Sequence, residues 1–125
     1  MTNTQWQIER RKHKRFRVRD GVFVTLKPSD TGLGRLRDIS MGGLRCDYVT
    51  EQASSIEATE LDIFMTNSDF VFYKIPCQIV WHRITYESPL SSTSRRECGV
   101  QFGEMTDSQL SRLEYFIQNC TTGEA

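Results

Sequence analysis

Apolar and polar residues alternate early in the chain in the way that a half-buried β-strand requires. The apolar residues on even positions are Phe16, Val18, Val22, Val24 and Leu26. Because successive side chains of a strand point to opposite faces, this period of two predicts a strand with one face on a core, interrupted near Asp20-Gly21. The segment 27–32, which contains Pro, Asp and Gly, has turn chemistry and ends the strand.

Five more strands are predicted in the segment 33–102, at 33–39, 44–48, 61–65, 70–83 and 97–102. The first two of these form a hairpin around a tight turn at residues 40–43. The strand at 70–83 is long and rich in β-branched and aromatic residues, and Pro76 marks a bulge or an edge within it. The segments 50–58 and 88–94 have the composition of turns and loops.

One amphipathic helix is predicted after the last strand. Thr106 and Gln109 form a capping-box pattern, and Asp107 suits the positive end of a helix. The apolar residues on one helix face are Leu110, Leu113, Phe116 and Ile117. We interpret this face as packing against the strands rather than as a ligand for a partner groove. Six short strands and one helix predict an all-β fold, a small antiparallel barrel or sandwich with a C-terminal helix against it.

A chain of 125 residues with 38% hydrophobic residues fits one folded domain. Its first residues lack the apolar run of a signal peptide, and nowhere do eighteen apolar residues occur together. We therefore expect a cytoplasmic protein without membrane insertion.

Metal, redox and catalytic patterns are not evident in the sequence. The four cysteines, Cys46, Cys77, Cys98 and Cys120, lie 21 to 31 positions apart, which favours free, mostly buried thiols. Neither histidine, His13 or His82, has a cysteine or carboxylate at ligand spacing. No nucleophile elbow, phosphate loop or H-E-x-x-H motif occurs, so we expect neither an enzyme nor a bound cofactor or metal.

Basic charge is concentrated in residues 10–19, which hold seven of the sixteen Lys and Arg residues and no acid. The rest of the chain carries nine basic residues against sixteen acidic ones. A positive field focused at one site attracts an anion such as a phosphate. The competing interpretation is a solvated terminal arm that specifies nothing.

Two motifs then carry a family resemblance. Arg11 and Arg15 match R-x-x-x-R, and residues 38–43 match D-x-S-x-x-G. Arg15 and Arg19 also satisfy the first motif, but Arg19 continues the strand alternation, so we prefer the earlier register. Together with the closing strand and helix, the motifs resemble the PilZ domain over residues 8–118. The resemblance implies a six-stranded antiparallel β-barrel that binds the bacterial second messenger cyclic di-GMP. It divides the chain into an arm (1–14), a barrel with its helix (15–119) and a tail (120–125).

The chemistry of the motif residues suits this ligand. The guanidinium forks of Arg11 and Arg15 match the O6 and N7 acceptors of guanine. Asp38 and Ser40, two apart at a strand end, face the same way. The resemblance places these two beside one guanine, where the carboxylate accepts from N1 and N2 and the hydroxyl serves phosphate or base. The glycines of the motif, Gly42 and Gly43, permit positive φ angles and close backbone approach, although an ordinary hairpin turn would also use them.

Trp81, at the end of the fifth predicted strand, either stacks on a purine or packs in the core. Arg10 precedes the R-x-x-x-R pair, and in PilZ domains an Arg there accompanies two intercalated ligands. The resemblance therefore implies two cyclic di-GMP molecules per chain and a separate downstream effector protein. Two alternatives stay open: a small barrel that binds nucleic acid through its basic arm, and a PilZ domain that binds proteins but no nucleotide.

Overall fold

The structure, a computed structural model, describes residues 13–28, 33–51, 56–66 and 68–125. Eight strands and one helix occur in this part of the chain. In order they are β1 (Phe16–Val18), β2 (Val22–Pro28), β3 (Gly34–Ile39), β4 (Gly43–Glu51), β5 (Ala58–Met65), β6 (Val71–Glu87), β7 (Thr93–Phe102), helix α1 (Asp107–Cys120) and β8 (Thr121–Glu124).

Six of the strands close into an antiparallel barrel. They follow the order β2-β5-β6-β7-β4-β3, and β3 pairs back with β2, so the ring is complete. The predicted six-stranded barrel with one C-terminal helix is therefore confirmed. The first predicted strand is divided into β1 and β2 near Gly21, whose φ of 89° suits glycine.

Two short strands extend the sheet beside β3. Strand β1 pairs with the end of β3, where Phe16 lies opposite Ile39, and β8 pairs with the other edge of β1. We had predicted no strand in the segment 120–125, which we expected to be a tail. Three of the four β8 residues are exposed, and the strand lacks the alternation that identifies a half-buried strand, so only the pairing with β1 reveals it.

The core lies inside the barrel and under the helix. The inward residues of β2, Val22, Val24 and Leu26, are at most 3% exposed. Leu113 and Phe116 are fully buried on α1, as predicted, and each such side chain contributes about 1.5–3 kcal/mol. The helix begins with the predicted capping box: the Gln109 amide donates to Thr106 Oγ1 at 3.1 Å. All four cysteines are free and buried, as predicted, and Cys46 Sγ lies 3.3 Å from Cys98 Sγ.

Strand β6 is longer than predicted and changes partner within its length. Residues 71–76 pair with β5, and residues 77–87 pair with β7, so Pro76 lies at the change. The strand continues to Glu87 rather than ending at Arg83, and its last eight residues are all exposed. A segment exposed on both faces has no reason to alternate, which explains why the sequence pattern did not predict its full length.

Candidate functional site

The turn between β3 and β4 is held by Ser40. The Ser40 amide donates to the Gly43 carbonyl at 2.8 Å. The Ser40 hydroxyl oxygen accepts from the amides of Gly42 and Gly43 at 3.1 and 3.2 Å. Because this hydroxyl bonds backbone groups two and three residues ahead, the D-x-S-x-x-G segment forms a closed loop. Ser40 is 7% exposed, and the bonds that it makes here hold the turn.

The two glycines of the turn are needed for space rather than for a positive φ. Among the described glycines, only Gly21 and Gly123 have positive φ, so the expectation of positive φ at Gly42 or Gly43 was wrong. A Cβ at Gly43 would collide with the Val100 carbonyl oxygen on β7. A Cβ at Gly42 would lie 2.8 Å from His13 Cδ2. The predicted close backbone approach is therefore the physical reason for Gly43, whereas at Gly42 the neighbour is the His13 side chain.

Asp38 lies in β3, two residues before Ser40 of the turn, and Arg45 binds its carboxylate. The strand register places Arg45 opposite Asp38, and its Nε donates to Asp38 Oδ2 at 2.9 Å. Asp38 is 4% exposed. Within the described part of the chain, no donor is bonded to the other oxygen, Oδ1. Asp38 is thus a buried, charge-paired carboxylate whose Oδ1 accepts no bond from the described residues.

The pairing of Asp38 continues across the barrel wall as a network. Arg45 NH1 also donates to Glu97 Oε2 on β7 at 3.2 Å. The other oxygen of Glu97 accepts from Arg83 Nε on β6 at 3.1 Å, and Arg83 NH2 lies 2.9 Å from the same oxygen. Since Glu97 is 8% exposed, two arginines offset the desolvation of its charge. The network fixes the position of the Arg45 guanidinium, and Arg45 in turn orients the Asp38 carboxylate.

Trp81 lies in the same row on the outside of the barrel. Arg45 lies opposite Gly99 on β7, and Gly99 lies opposite Trp81 on β6. The indole covers Gly99 so closely that any Cβ there would collide with Nε1. Trp81 is 36% exposed and is not part of the core, and it lies in the middle of β6 rather than at its end. Of the two interpretations offered by the sequence, the outer position agrees with the stacking one.

The bulge at Val80 explains how Trp81 reaches this face. Between Ile79 and Trp81 the register with β7 shifts by one residue. In a regular strand, Val80 and Trp81 would lie on opposite faces. Instead both are exposed, Val80 at 51%, because the bulge breaks the alternation at this point. The row from Asp38 through Arg45 and Gly99 to Trp81 is called the ligand face below.

The basic segment reaches this face at its described end. Arg15 is exposed and directly precedes Phe16, which pairs with Ile39 inside the motif. His13 lies over Gly42 in the turn. Residues 10 and 11, Arg10 and Arg11, lie outside the described residues. The structure therefore brings Arg15, Asp38 and the turn together, with Trp81 two strands beyond Arg45.

Next to Asp38 is a cavity that the sequence analysis did not predict. It has a volume of about 540 Å³ and lies where β3 changes partner from β1 to β2. The arginines that line it are Arg17, Arg19, Arg35, Arg37 and Arg45. Arg35 bonds Asp20 at 2.6 Å and Arg37 approaches Asp47 at 3.5 Å. Arg17 and Arg19 have no carboxylate partner among the described residues. We call this cavity the arginine gap.

Sequence reasoning missed Arg45, Glu97, Arg83 and the arginine gap. One of these could have been found: counting outward from the predicted turn places Arg45 opposite or next to Asp38. Glu97 is 52 positions from Arg45, and only the pairing of β4 with β7 brings them together. The described residues contain no cluster of three or more histidines, cysteines or acids that could hold a metal ion. In the same residues no helix has the length and apolar character needed to cross a membrane.

Comparisons with known proteins agree with this fold. The model of the PilZ domain matches residues 9–119. No curated protein matches the chain in sequence. Among solved structures, the chain is similar to the PilZ domain with c-di-GMP of YcgR from Escherichia coli. The TM-score is 0.67 at 16% identity, over 89% of this chain and 91% of that one.

Two longer proteins show the same fold. YcgR from Escherichia coli in complex with c-di-GMP has a TM-score of 0.62 at 20% identity, with 87% of this chain covered. The MrkH–c-di-GMP complex from K. pneumonia has a TM-score of 0.58, also at 20% identity, with 87% of this chain covered. The chain covers 45% of that YcgR structure and 51% of that MrkH structure, so it spans about half the length of each.

Proposed function

The chain belongs to the PilZ domain family, and we propose that it is a receptor for cyclic di-GMP that binds on the ligand face. The observation behind this proposal is the register of the barrel strands. Asp38, Arg45, Gly99 and Trp81 share one row across four adjacent strands, and His13 brings the basic segment onto the adjoining turn. The proposal includes a cytoplasmic location and a role in binding rather than in catalysis.

The functional side chains at this face match different parts of a guanine nucleotide. Asp38 Oδ1 accepts from the N1 and N2 donors of a guanine, while Arg45 holds Oδ2. The exposed face of Trp81 offers a stacking surface for a purine, and contacts of this kind are worth about 1–3 kcal/mol per base. The guanidinium forks of Arg11 and Arg15 close over the ligand and bind its phosphates or the O6 and N7 edge.

The test is calorimetric titration with cyclic di-GMP, beside GTP and a short DNA duplex. Removing one charged fork from a desolvated contact costs about 2–4 kcal/mol, so Arg11→Ala or Arg15→Ala should weaken binding by about 30-fold or more. Arg112→Ala, on an exposed part of α1, is the matched control and should bind normally. Normal binding by both arm variants would show that the site is elsewhere.

We further propose that two ligands bind per chain. Stacked cyclic di-GMP molecules bring four negative charges, and Arg10 adds a third fork to the two of the motif. Arg10→Leu should then lower the titration endpoint from two ligands toward one, while Arg11 and Arg15 still hold the first. An endpoint of one for the unmodified protein, unchanged in Arg10→Leu, would contradict this stoichiometry.

Signal output is also part of the proposal. The ligand orders the basic arm over the barrel and so changes the surface that a separate effector protein meets. Hydrogen exchange of residues 1–19 with and without cyclic di-GMP tests this directly, since ordering slows amide exchange. Unchanged exchange in a saturated sample would contradict a role of the arm in signalling.

The arginine gap favours one alternative, the binding of nucleic acid. Arg17 and Arg19 could each contact a phosphate, because neither has a carboxylate partner in the described part of the chain. Such binding would weaken steeply with salt, whereas cyclic di-GMP held by base-edge hydrogen bonds should show a shallow dependence. A steep slope for DNA, unaffected by cyclic di-GMP, would favour the alternative.

A further inference from the structure

The end of the β6–β7 hairpin exposes an unusual share of apolar side chains. Nine large hydrophobic residues are exposed in the described chain, and five of them lie between positions 80 and 90. They are Val80, Trp81, Ile84, Tyr86 and Leu90. Exposed apolar side chains that are scattered singly need no explanation, but a concentration on one element indicates a surface that another molecule covers. We call the segment Val80–Glu87 the free edge.

The backbone of this segment lacks a partner on one side. Strand β6 uses one edge for β5 up to Pro76, and uses the other for β7 from Cys77 to Glu87. No strand in the described chain pairs with the remaining edge of residues 80–87. Unpaired amide and carbonyl groups along an extended, partly apolar strand are a template for another strand.

We propose that this free edge pairs with the same edge of a second copy of the chain, in antiparallel orientation, to form a dimer. A strand that pairs with its own copy does so about a two-fold axis, so every contact occurs twice. The assembly closes at two chains, because the pairing uses the free edge of both. This inference goes beyond the proposed function and does not depend on cyclic di-GMP binding.

One register gives the free edge charge complementarity with itself. With the two-fold axis between Ile84 and Thr85, Arg83 lies opposite Tyr86 of the partner subunit, and His82 lies opposite Glu87 of the partner subunit. Arg83 and Tyr86 face the same side, because the bulge before Tyr86 places them opposite Glu97 and Arg95, two residues apart on β7.

The opposed pairs are favourable on both faces of the dimer. Arg83 keeps its bonds to Glu97 on β7, and its guanidinium lies on the same face as the ring of Tyr86 of the partner subunit, as a cation–π pair requires. A histidine opposite a carboxylate is also an attractive pair. No like charges face each other in this register, and the two Ile84 side chains meet near the axis. The side chains therefore support the contact that the unpaired backbone allows.

The dimer would join two ligand faces into one sheet. Trp81 lies in the same strand as the axis, three residues from Ile84, so the two ligand faces would be neighbours. An interface of two eight-residue strands buries less than the roughly 1,200 Å² of a standard stable complex. We therefore expect a reversible dimer, to be measured by sedimentation velocity over about 10–500 µM without cyclic di-GMP.

A tyrosine pair on β6 supplies the matched variants. Tyr86 is 60% exposed on the free edge, and Tyr73 is 63% exposed on the part of β6 that pairs with β5. Tyr86→Lys should raise the dimer dissociation constant by about 10-fold or more, because the lysine would face Arg83 of the partner subunit. Tyr73→Lys should leave it unchanged. A monomeric unmodified protein at the highest concentration, or equal effects of both variants, would overturn the proposal.

Cross-linking tests the register independently of affinity. The four native cysteines are buried, so a cysteine placed in Thr85→Cys is the accessible thiol. Near the axis it should join two chains through a short bis-maleimide, and Tyr73→Cys should give little cross-linked product. If Thr85→Cys cross-links no better than Tyr73→Cys, the free edges do not meet. Failure of either test leaves the cyclic di-GMP proposal intact, since no ligand is present.

Discussion

Asp38 and Asp62 are both buried in the barrel wall, at 4% and 5% exposure, but the protein occupies their carboxylates differently. Asp62 Oδ1 accepts from the Lys74 amide at 2.8 Å, and its Oδ2 lies 2.8 Å from Lys27 Nζ. Asp38 Oδ2 accepts from Arg45, and its Oδ1 has no donor among the described residues. In Asp62 both carboxylate oxygens are bonded within the fold, which we call a closed carboxylate. In Asp38 the described residues bond only one oxygen, which we call an open one.

The difference separates a structural site from the proposed binding site. Both oxygens of Asp62 hold the fold together, and one of them anchors Lys74, whose φ of 57° is unusual for a residue with a side chain. Among the described residues, Asp38 keeps one acceptor oxygen without a donor, beside the turn and the basic segment. Burial alone would have ranked the two aspartates equally. Occupancy of the oxygens therefore distinguishes them, and substitutions at the two positions should have opposite consequences.

The largest effect is expected on ligand affinity. Asp38→Ala removes the carboxylate that would bind the guanine donors, so cyclic di-GMP affinity should fall about 100-fold, or about 2.7 kcal/mol. Asp62→Ala, at the closed site, is the control and should keep the affinity of the folded protein. Titration calorimetry measures both. Equal losses in the two variants would mean that oxygen occupancy does not predict the site.

The next largest effect is on stability, and here the Asp62 variant should lose more than the Asp38 variant. Asp62→Ala leaves the Lys74 amide without its acceptor and Lys27 without its partner, so the free energy of unfolding should fall by about 2 kcal/mol. Asp38→Ala should lower it less, since Arg45 keeps Glu97. Urea denaturation of the ligand-free proteins measures the difference. A greater loss of stability in Asp38→Ala would reverse the assignment of the structural site.

A smaller effect on ligand affinity is expected when the basic partner of each aspartate is exchanged. Arg45 bridges Asp38 and Glu97 with two nitrogens, which a lysine cannot do with the same geometry. Arg45→Lys should therefore weaken cyclic di-GMP binding about 5-fold, or about 1 kcal/mol, through a less well oriented Asp38. The reciprocal exchange Lys27→Arg should leave binding unchanged. Unaltered affinity in Arg45→Lys would show that the network does not position Asp38.

The smallest expected effect is on the pH dependence of the free energy of unfolding. Burial acts to raise the pKa of Asp62, but bonds from Lys27 and from the Lys74 amide outweigh it and hold the pKa below its usual value. A lowered pKa means that the stabilisation is present above the unfolded pKa of about 4 and is lost as pH falls through the folded value. The stability gap between the unmodified protein and Asp62→Asn should thus narrow from pH 7 to pH 3. A constant gap would contradict this linkage.

Much of the fold could be predicted because its signals are local. The alternation of Val22, Val24 and Leu26 predicted a strand, and Thr106 with Gln109 predicted the start of the helix. Elements without a local signal were missed. Strand β8 has no alternation, and the end of β6 is exposed on both faces. In both cases pairing with a distant strand, rather than side-chain periodicity, forms the element.

The candidate site divides in the same way. The residues of the D-x-S-x-x-G turn were identifiable because they bond one another within four positions. The position of Trp81 was not, since a bulge at Val80 changes the face on which the indole lies. The need for glycine at position 43 was equally unpredictable from the sequence, because the atom that excludes a side chain there belongs to Val100 on β7. Contacts between strands far apart in sequence leave no trace in local spacing.

Periodicity, capping and turn chemistry act over a few residues, so they predicted where the strands and the helix form and which motif makes the turn. The difference between the two buried aspartates depends on long-range pairing within the described part of the chain. Asp62 is closed by Lys74, twelve positions away, and Asp38 is linked through Arg45 to Glu97, another 52 positions along the chain. Those distances are bridged by strand register, which the closure of the barrel fixes.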